Sequence, residues 1–434
     1  MRNRTALAVC IGLLALAPLG LLAVDAKTSL KIDQEIEKVR PEIIKIRRFI
    51  HMNPELSNRE YETAKLVASK LTSLGLEVTT GVARTGVVAL LRGGKPGPTV
   101  AIRADMDALP IQEATSLPFK SLNPGVMHAC GHDVHTSVAL GTAMVLVNVK
   151  DKIKGNIKFI FQPAEEGAPQ DEEGGAELMI KEGVLENPTV GAIFGLHVWP
   201  ENVGQAFFST GNIMAGADWF EIQIKGRGAH GARPHEGIDA IVLAAEVITT
   251  LQSVISRAVD PTDPAVLTIG KIEGGTRSNI IAEKVTLEGT VRALSDANRK
   301  KIPQLIESVA KGITQAFGAT ASLDYRPSNP PLFNYPELGE TMLPTLVGVL
   351  GKDKVLPYPP QMIAEDFSFY AQKIPGFYFF LGVKTPGPSP AAPLHSANFN
   401  PDERSLAVGI KLMCHLALDA LEKQNPPEPD PSNL

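Results

Sequence analysis

Asn156-Ile157-Lys158-Phe159-Ile160-Phe161-Gln162-Pro163-Ala164-Glu165-Glu166-Gly167 reads as a β-rich run that stops at a proline and delivers two adjacent carboxylates beyond its end. Three further runs have the same texture: Gly86–Leu91, Thr99–Ala104 and Ala192–His197, each bounded by Gly, Pro or polar turns. Between them, His135–Val149 is an apolar stretch of helix length. Upstream, apolar residues recur at helical spacing over Lys31–Ile50 and again over Glu60–Leu74, which ends at Gly75. Alternating strands and helices predict an α/β layer, with a mixed, largely parallel sheet flanked by helices. Polar residues just past strand ends are what such a sheet offers to ligands at its carboxyl edge.

Around Ala217 the texture changes. Strand patterns at Trp219–Gly226, Ala265–Ile272, Lys284–Ala293 and Ala319–Tyr325 alternate with helical patterns at Ile238–Ala258 and Asp296–Phe317. That β-α-β-β-α-β order predicts an α+β split-βαβ unit, inserted as a dimerisation or lid domain at 217–327 into a catalytic domain made of 27–216 and 328–423. After Pro327 the first texture returns, with a strand at Phe377–Leu381 and a closing helix at Pro401–Glu422. The Pro-rich tail 424–434 reads as disordered.

The N-terminus has a short basic start, Met1-Arg2-Asn3-Arg4, then an apolar run from Ala6 to Val24, then Val24-Asp25-Ala26 with permissive residues at the positions a signal peptidase reads. The expectation is a cleaved signal peptide over 1–26 and a secreted or periplasmic protein. The rival is a retained anchor, since the run is nearly long enough to span a bilayer; Pro18 and Gly20 argue against it. A chain of 434 residues is long enough for two domains. Its formal charge of -5 offers no basic face for nucleic acid or for anionic lipid once the leader is gone. Of three cysteines, Cys130 and Cys414 follow the leader, too few for a disulfide scaffold.

The strongest chemical signal is His128-Ala129-Cys130-Gly131-His132-Asp133-Val134-His135, with Glu165-Glu166 some thirty residues on. Thiolate, imidazole and carboxylate are the ligand types for a borderline-soft divalent metal. Of two neighbouring glutamates, one can bind metal while the other stays free to move a proton. Taken alone, Cys130 reads as a small buried hydrophobe and the glutamates as a solvated pair; the flanking imidazoles, and Pro163 and Gly167 at a strand exit, favour a shaped site. Glu172-Glu173 lacks that setting and reads as surface charge, while His51 and His415 read as structural. His128 and His135 flank the ligands and read as packing or hydrogen-bonding partners.

Five segments in order, Arg103-Ala104-Asp105-Met106-Asp107-Ala108-Leu109-Pro110, His128–Asp133, Phe161–Gly167, Gly195-Leu196-His197 and Leu394-His395-Ser396, resemble the M20 metallopeptidase family. The resemblance covers nearly the whole chain after the leader. It is nearest to the branch of hippurate hydrolases, N-acyl-amino-acid hydrolases and plant auxin-conjugate hydrolases. It implies two divalent metal ions (Mn2+, Zn2+, Co2+ or Ni2+) held by Cys130, His132, Glu166, His197 and His395, with Cys130 as the bridge. It also implies Glu165 as general acid/base acting on a metal-activated water, and Asp107 behind the site orienting a ligand or that glutamate. In the inserted unit, Gly226–Pro234 resembles a substrate-facing loop whose His230 reaches across a homodimer to stabilise the oxyanion. Ser278-Asn279-Ile280-Ile281 matches a segment whose Asn279 contacts substrate, and Arg292 nearby could pair its carboxylate. Glu365-Asp366-Phe367-Ser368 is family-like but receives no role.

The reading is an exported amidohydrolase acting on N-acyl-amino acids, a small-molecule substrate. Its rivals are a dipeptidase or carboxypeptidase with the same centre, a metal-independent hydrolase using Cys130 as nucleophile, and a binding module that has lost catalysis. Intact Glu165 argues against the last.

Overall fold

A computed structural model describes residues 24–388 and 390–423. The tail expected at 424–434, and all of the N-terminal apolar run except Val24, lie outside the described residues. Eight strands form the main sheet. Its centre is parallel, with Lys154–Gln162, Lys95–Asp105, Ala192–Asn202 and Gly376–Lys384 side by side in that order. Their middles are buried on both faces, the reason they read as near-continuous apolar runs. Antiparallel strands Gly86–Arg92 and Glu77–Val82 finish one edge, and Ala206–Phe207 followed by Val355–Leu356 finish the other.

Three helices cover one face: Ala26–Met52, His132–Leu146 and Arg404–Glu422. Ile43, Leu140, Phe159 and Ile410 belong to the continuous core they share with the sheet. The opposite face carries a second core around Met179, Trp199, Phe367 and Tyr370, under the short helices Gly175–Lys181 and Phe367–Ala371.

Strands Gly216–Lys225, Ala265–Gly274, Lys284–Ala293 and Thr320–Pro327 build a separate antiparallel sheet ordered second, third, first, fourth. Helices Ala240–Ser253 and Asp296–Ala316 close one face over Phe220, Leu243, Val247, Leu287 and Ile306. The split-βαβ order is present, interrupted only by a small ladder of Ala229–His230 with Ile280–Ile281.

One local difference bears on chemistry. The helix expected from His135 begins at His132, because Gly131 sits in the left-handed region at φ +90° and caps it. A Cβ there would meet Val198 Cγ2 at 2.4 Å, so only glycine lets the chain turn between Cys130 and His132. The motif therefore runs from the segment before a buried helix into its first turn, with Cys130 just ahead of the Gly131 cap and His132 just after it.

Candidate metal centre

The ligand candidates arrive from separate elements at one edge of the sheet. Cys130 and His132 flank the Gly131 cap, Glu165 and Glu166 follow the strand Lys154–Gln162, His197 lies within Ala192–Asn202, and His395 comes from the loop before the last helix. Cys130 Sγ lies 3.3 Å from His197 Nε2 and 3.3 Å from His395 Nε2. His395 Nε2 is 3.3 Å from Glu166 Oε1, and His132 Nε2 is 3.9 Å from the same oxygen. Two triads of donor atoms, Cys130–His132–His197 and Cys130–Glu166–His395, each close within 4.8 Å and share the cysteine.

Hydrogen bonds on the far side of two of the imidazoles, His197 and His132, decide which nitrogen faces inward. His197 Nδ1–H donates to the Val198 carbonyl at 2.7 Å, leaving Nε2 bare toward Cys130. His132 Nδ1 lies 3.2 Å from Asp107 Oδ1, and its Nε2 is buried with no hydrogen-bond partner. An orphaned imidazole nitrogen beside a thiol and a carboxylate fits a divalent ion, as does the sharing of Cys130 between two triads. His135 is different: Nδ1 lies 2.6 Å from Asp105 and Nε2 accepts the Val198 N–H at 2.9 Å, so both nitrogens are used. His128 lies buried with neither nitrogen bonded, and His51 joins Asp133 at 2.8 Å behind the site.

Asp107 holds the two halves together. Its Oδ1 faces His132, while Oδ2 accepts the Glu166 N–H at 3.0 Å and the Ser57 hydroxyl at 2.7 Å. Burial opposes charge on His132, yet the carboxylates of Asp105 and Asp107 raise it to about 10. Burial pushes the Cys130 thiol well up, and the charges of Glu166 and Glu165 push the same way. A cysteine nucleophile needs the opposite setting, one that favours thiolate; a bound divalent cation would supply it.

Glu165 belongs to neither of these triads, although its carboxylate lies within 4.8 Å of donor atoms of His132 and Glu166. Its Oε2 is 3.8 Å from His132 Nε2, and its Oε1 lies 3.5 Å from the Asp366 N–H. Burial, then the neighbouring charges of Glu365, Glu166 and Asp366, raise its pKa well above the ordinary carboxyl range. That is the bias a proton-carrying carboxyl needs.

Behind these residues lies a support that sequence reading missed. Arg103 is fully buried and forks three ways: Nε to Gln162 at 2.9 Å, Nη1 to Asp105 at 2.6 Å, and Nη2 to Asp366 at 2.6 Å, with Glu365 at 3.1 Å. One guanidinium thus ties the carboxylate behind the histidines to the loop behind Glu165. Asp366 also accepts from Gln162 Nε2 at 2.9 and 2.7 Å and from the Ala176 N–H at 2.8 Å. Glu60, also buried, accepts the Ala164 N–H at 2.9 Å and so holds the turn that presents Glu165, where Ala164 adopts φ +54°. Arg103 and Asp366 stood inside quoted motifs, but nothing in their spacing pairs them.

The inserted unit places its candidates elsewhere. His230 pairs with Ile280 in the small ladder, and the Gly231 N–H donates to Asn279 O at 2.8 Å, so His230 and Asn279 sit together on an exposed edge. Among the described residues, neither joins the hydrogen bonds or ion pairs of the metal cluster. Arg292 pairs with Ala217 at the other end of the strand Lys284–Ala293. It is half-buried, and that burial lowers its pKa against the charge of Asp218; Arg299, not Arg292, makes the fork to Asp218 at 2.7 to 3.0 Å.

The model of the peptidase family M20/M25/M40 matches residues 101–419. The chain belongs to this family. It is thereby a metal-dependent amidohydrolase or peptidase. An N-acyl-L-amino acid amidohydrolase of Geobacillus stearothermophilus is 44% identical over 311 residues, covering 71% of this chain and 82% of the relative. Thermostable carboxypeptidase 2 of Saccharolobus solfataricus is 41% identical over 395 residues, covering 89% of this chain and 98% of its own. Among solved structures, the Bacillus subtilis YXEP protein, described as a dinuclear metal-binding peptidase of the M20 family, superposes with a TM-score of 0.76 at 36% identity. The match covers 89% of this chain and 99% of that one.

Proposed function

We propose that this M20 enzyme is an exported amidohydrolase that cleaves the amide of N-acyl-amino acids. The carrying observation is the convergence of Cys130, His132, Glu166, His197 and His395 beside a glutamate, Glu165, that none of them engages within hydrogen-bond distance. Those five residues would hold two divalent ions, which when bound polarise a carbonyl and lower the pKa of a water. Val198 and Asp107 hold the Nδ1 sides of His197 and His132, so that each turns its Nε2 inward. Glu165 takes a proton from the attacking water on its His132 side, while the Asp366 N–H steadies the other oxygen. It then hands the proton to the leaving nitrogen.

The active unit proposed is a homodimer. His230 and Asn279 lie at one end of a ten-residue strand pair and Arg292 at the other, about 30 Å apart at 3.3 Å per residue. One chain's site cannot use both ends. Arg292 lies at the junction with its own catalytic domain, which suits the carboxylate of substrate bound there. His230 and Asn279 then serve the partner's site, His230 as an oxyanion donor. Exposed Ile241, Val242, Ile272 and Ile280 on the same unit favour burial against a second copy.

The similarity to an amidohydrolase and a carboxypeptidase leaves two substrate classes, acyl-amino acids and peptides. A hydrolysis screen of N-acetyl-, N-benzoyl- and indole-acyl-amino acids beside dipeptides, on metal-reconstituted protein, separates them. Faster turnover of the acyl-amino acids is expected; turnover of dipeptides alone would move the enzyme to the peptidase class.

A further inference from the structure

Val24 and Asp25, just ahead of the first helix, are built into the fold. The Val24 side chain is buried in the catalytic core, and its backbone N–H donates to Asp419 Oδ1 at 3.1 Å across 395 positions. Asp419 belongs to the last helix and its side chain is fully buried. Its second oxygen accepts the Thr345 hydroxyl at 2.5 Å, and the nearest cation, Lys423 Nζ, stands 3.9 Å away. Asp25 then caps the first helix, accepting from the Lys27 N–H at 2.9 Å, the Thr28 N–H at 3.0 Å and the Thr28 hydroxyl at 2.7 Å.

We propose that signal peptidase cuts between Ala23 and Val24, and that the α-ammonium so created forms a buried ion pair with Asp419. The proposal rests on the export reading above. Water adds across the Ala23–Val24 peptide bond; the carboxylate leaves with the leader, and the protonated amine remains on Val24. Ala23 supplies a small residue at the cut.

Cutting after Ala26 satisfies the same sequence preference but dismantles the structure at this end. It removes the donor to Asp419 Oδ1, leaving a buried carboxylate short of a partner, and it removes the cap of the helix Ala26–Met52. Cutting after Ala23 keeps both and improves one. An ammonium in place of an amide N–H makes a charge-assisted bond at hydrogen-bond distance, adding a second counter-charge to the longer ion pair that Lys423 makes with Asp419 at 3.9 Å.

The test expresses the full 434-residue chain in a secreting bacterial host and determines the start of the exported protein by intact mass and N-terminal sequencing. A start at Val24 is expected. A start at Lys27, or at any other residue, overturns the inference while export stands; uncut protein retained in the cytoplasm overturns both. In a second measurement, chains beginning at Val24 and at Lys27 are released without extra residues from a fusion and melted, each with and without Asp419→Asn. The Val24 chain should melt several degrees higher and should lose more from Asp419→Asn than the Lys27 chain does. Equal melting and equal losses would overturn the ion pair.

Discussion

Replacing Asp107 by asparagine tests the centre through a residue that needs to touch neither metal nor substrate. Three donors converge on its carboxylate: the imidazole of His132, the N–H of Glu166 and the hydroxyl of Ser57. A carboxamide offers one oxygen and one NH2 group, so it must fail somewhere. With NH2 toward Glu166, the backbone N–H there meets another donor; Ser57 can rotate, but the peptide cannot. With NH2 toward His132, the imidazole must carry its proton on Nε2, and the inward lone pair is lost. A buried donor left unmatched costs about 1–3 kcal/mol, which is about 5- to 150-fold in an equilibrium. Loss of a partner behind a metal-binding histidine typically costs about 10- to 100-fold in affinity, the same range. Charge acts in the same direction. Removing the Asp107 carboxylate also lowers the His132 pKa and so eases loss of its proton, but it weakens the hold on a doubly charged ion more than on a singly charged proton. Competition against a fluorescent chelator should therefore show metal affinity falling by about 10- to 100-fold, with kcat at saturating metal affected less. Ser57→Ala, which removes one rotatable donor, should shift affinity little. Unchanged metal affinity in Asp107→Asn would refute the role.

Glu165→Gln should keep its metal content and lose activity by several orders of magnitude, because shape is retained and the proton acceptor is gone; near-normal turnover in metal-loaded variant would remove Glu165 from proton transfer. His230→Ala should lower kcat without changing metal content, and mixing it with Glu165→Gln should restore some activity in heterodimers confirmed by native mass spectrometry; no restoration would refute the shared site. In the free chain His132, at about 10, and Cys130, raised by burial, both hold protons at neutral pH, so metal binding must displace them and affinity should rise with pH up to about 10. Calorimetry in buffers of different ionisation enthalpy should find about two protons released, and none released would exclude these residues as ligands. Asp366→Asn leaves Arg103 short of a carboxylate and loosens the N–H beside Glu165, so kcat should fall and its pH profile move while KM and metal content hold; a fall in metal content alone would make Asp366 merely structural.

The parts of this enzyme that could be read from the sequence are those whose geometry is local. Cys130, Gly131 and His132 are consecutive because a helix cap projects them, and Glu165-Glu166 are consecutive because a strand ends there. The central strands were legible from buried apolar runs. The edge strand Glu77–Val82 was not, since most of it is exposed and carries no apolar alternation. The helix Pro336–Leu350 was hidden by Pro336 and Pro344, although Pro336 sits in its first turn, where a missing N–H does no harm.

The supporting network is illegible for a different reason. Arg103 meets Asp366 across 263 positions, and Glu60 meets Ala164 across 104. Each looks ordinary in its own segment, Glu60 as the start of a helix and Arg103 as a charge at a strand exit. Only the sheet order, which lays Lys95–Asp105 between Lys154–Gln162 and Ala192–Asn202, brings the guanidinium within reach of three carboxylates. An unpaired arginine would be costly there, and so would an unpaired carboxylate. Gln162 completes the set by bonding both Arg103 and Asp366. The histidines, through Asp105, and the proton-carrying glutamate, through the Asp366 loop, are thus tied to one buried charge.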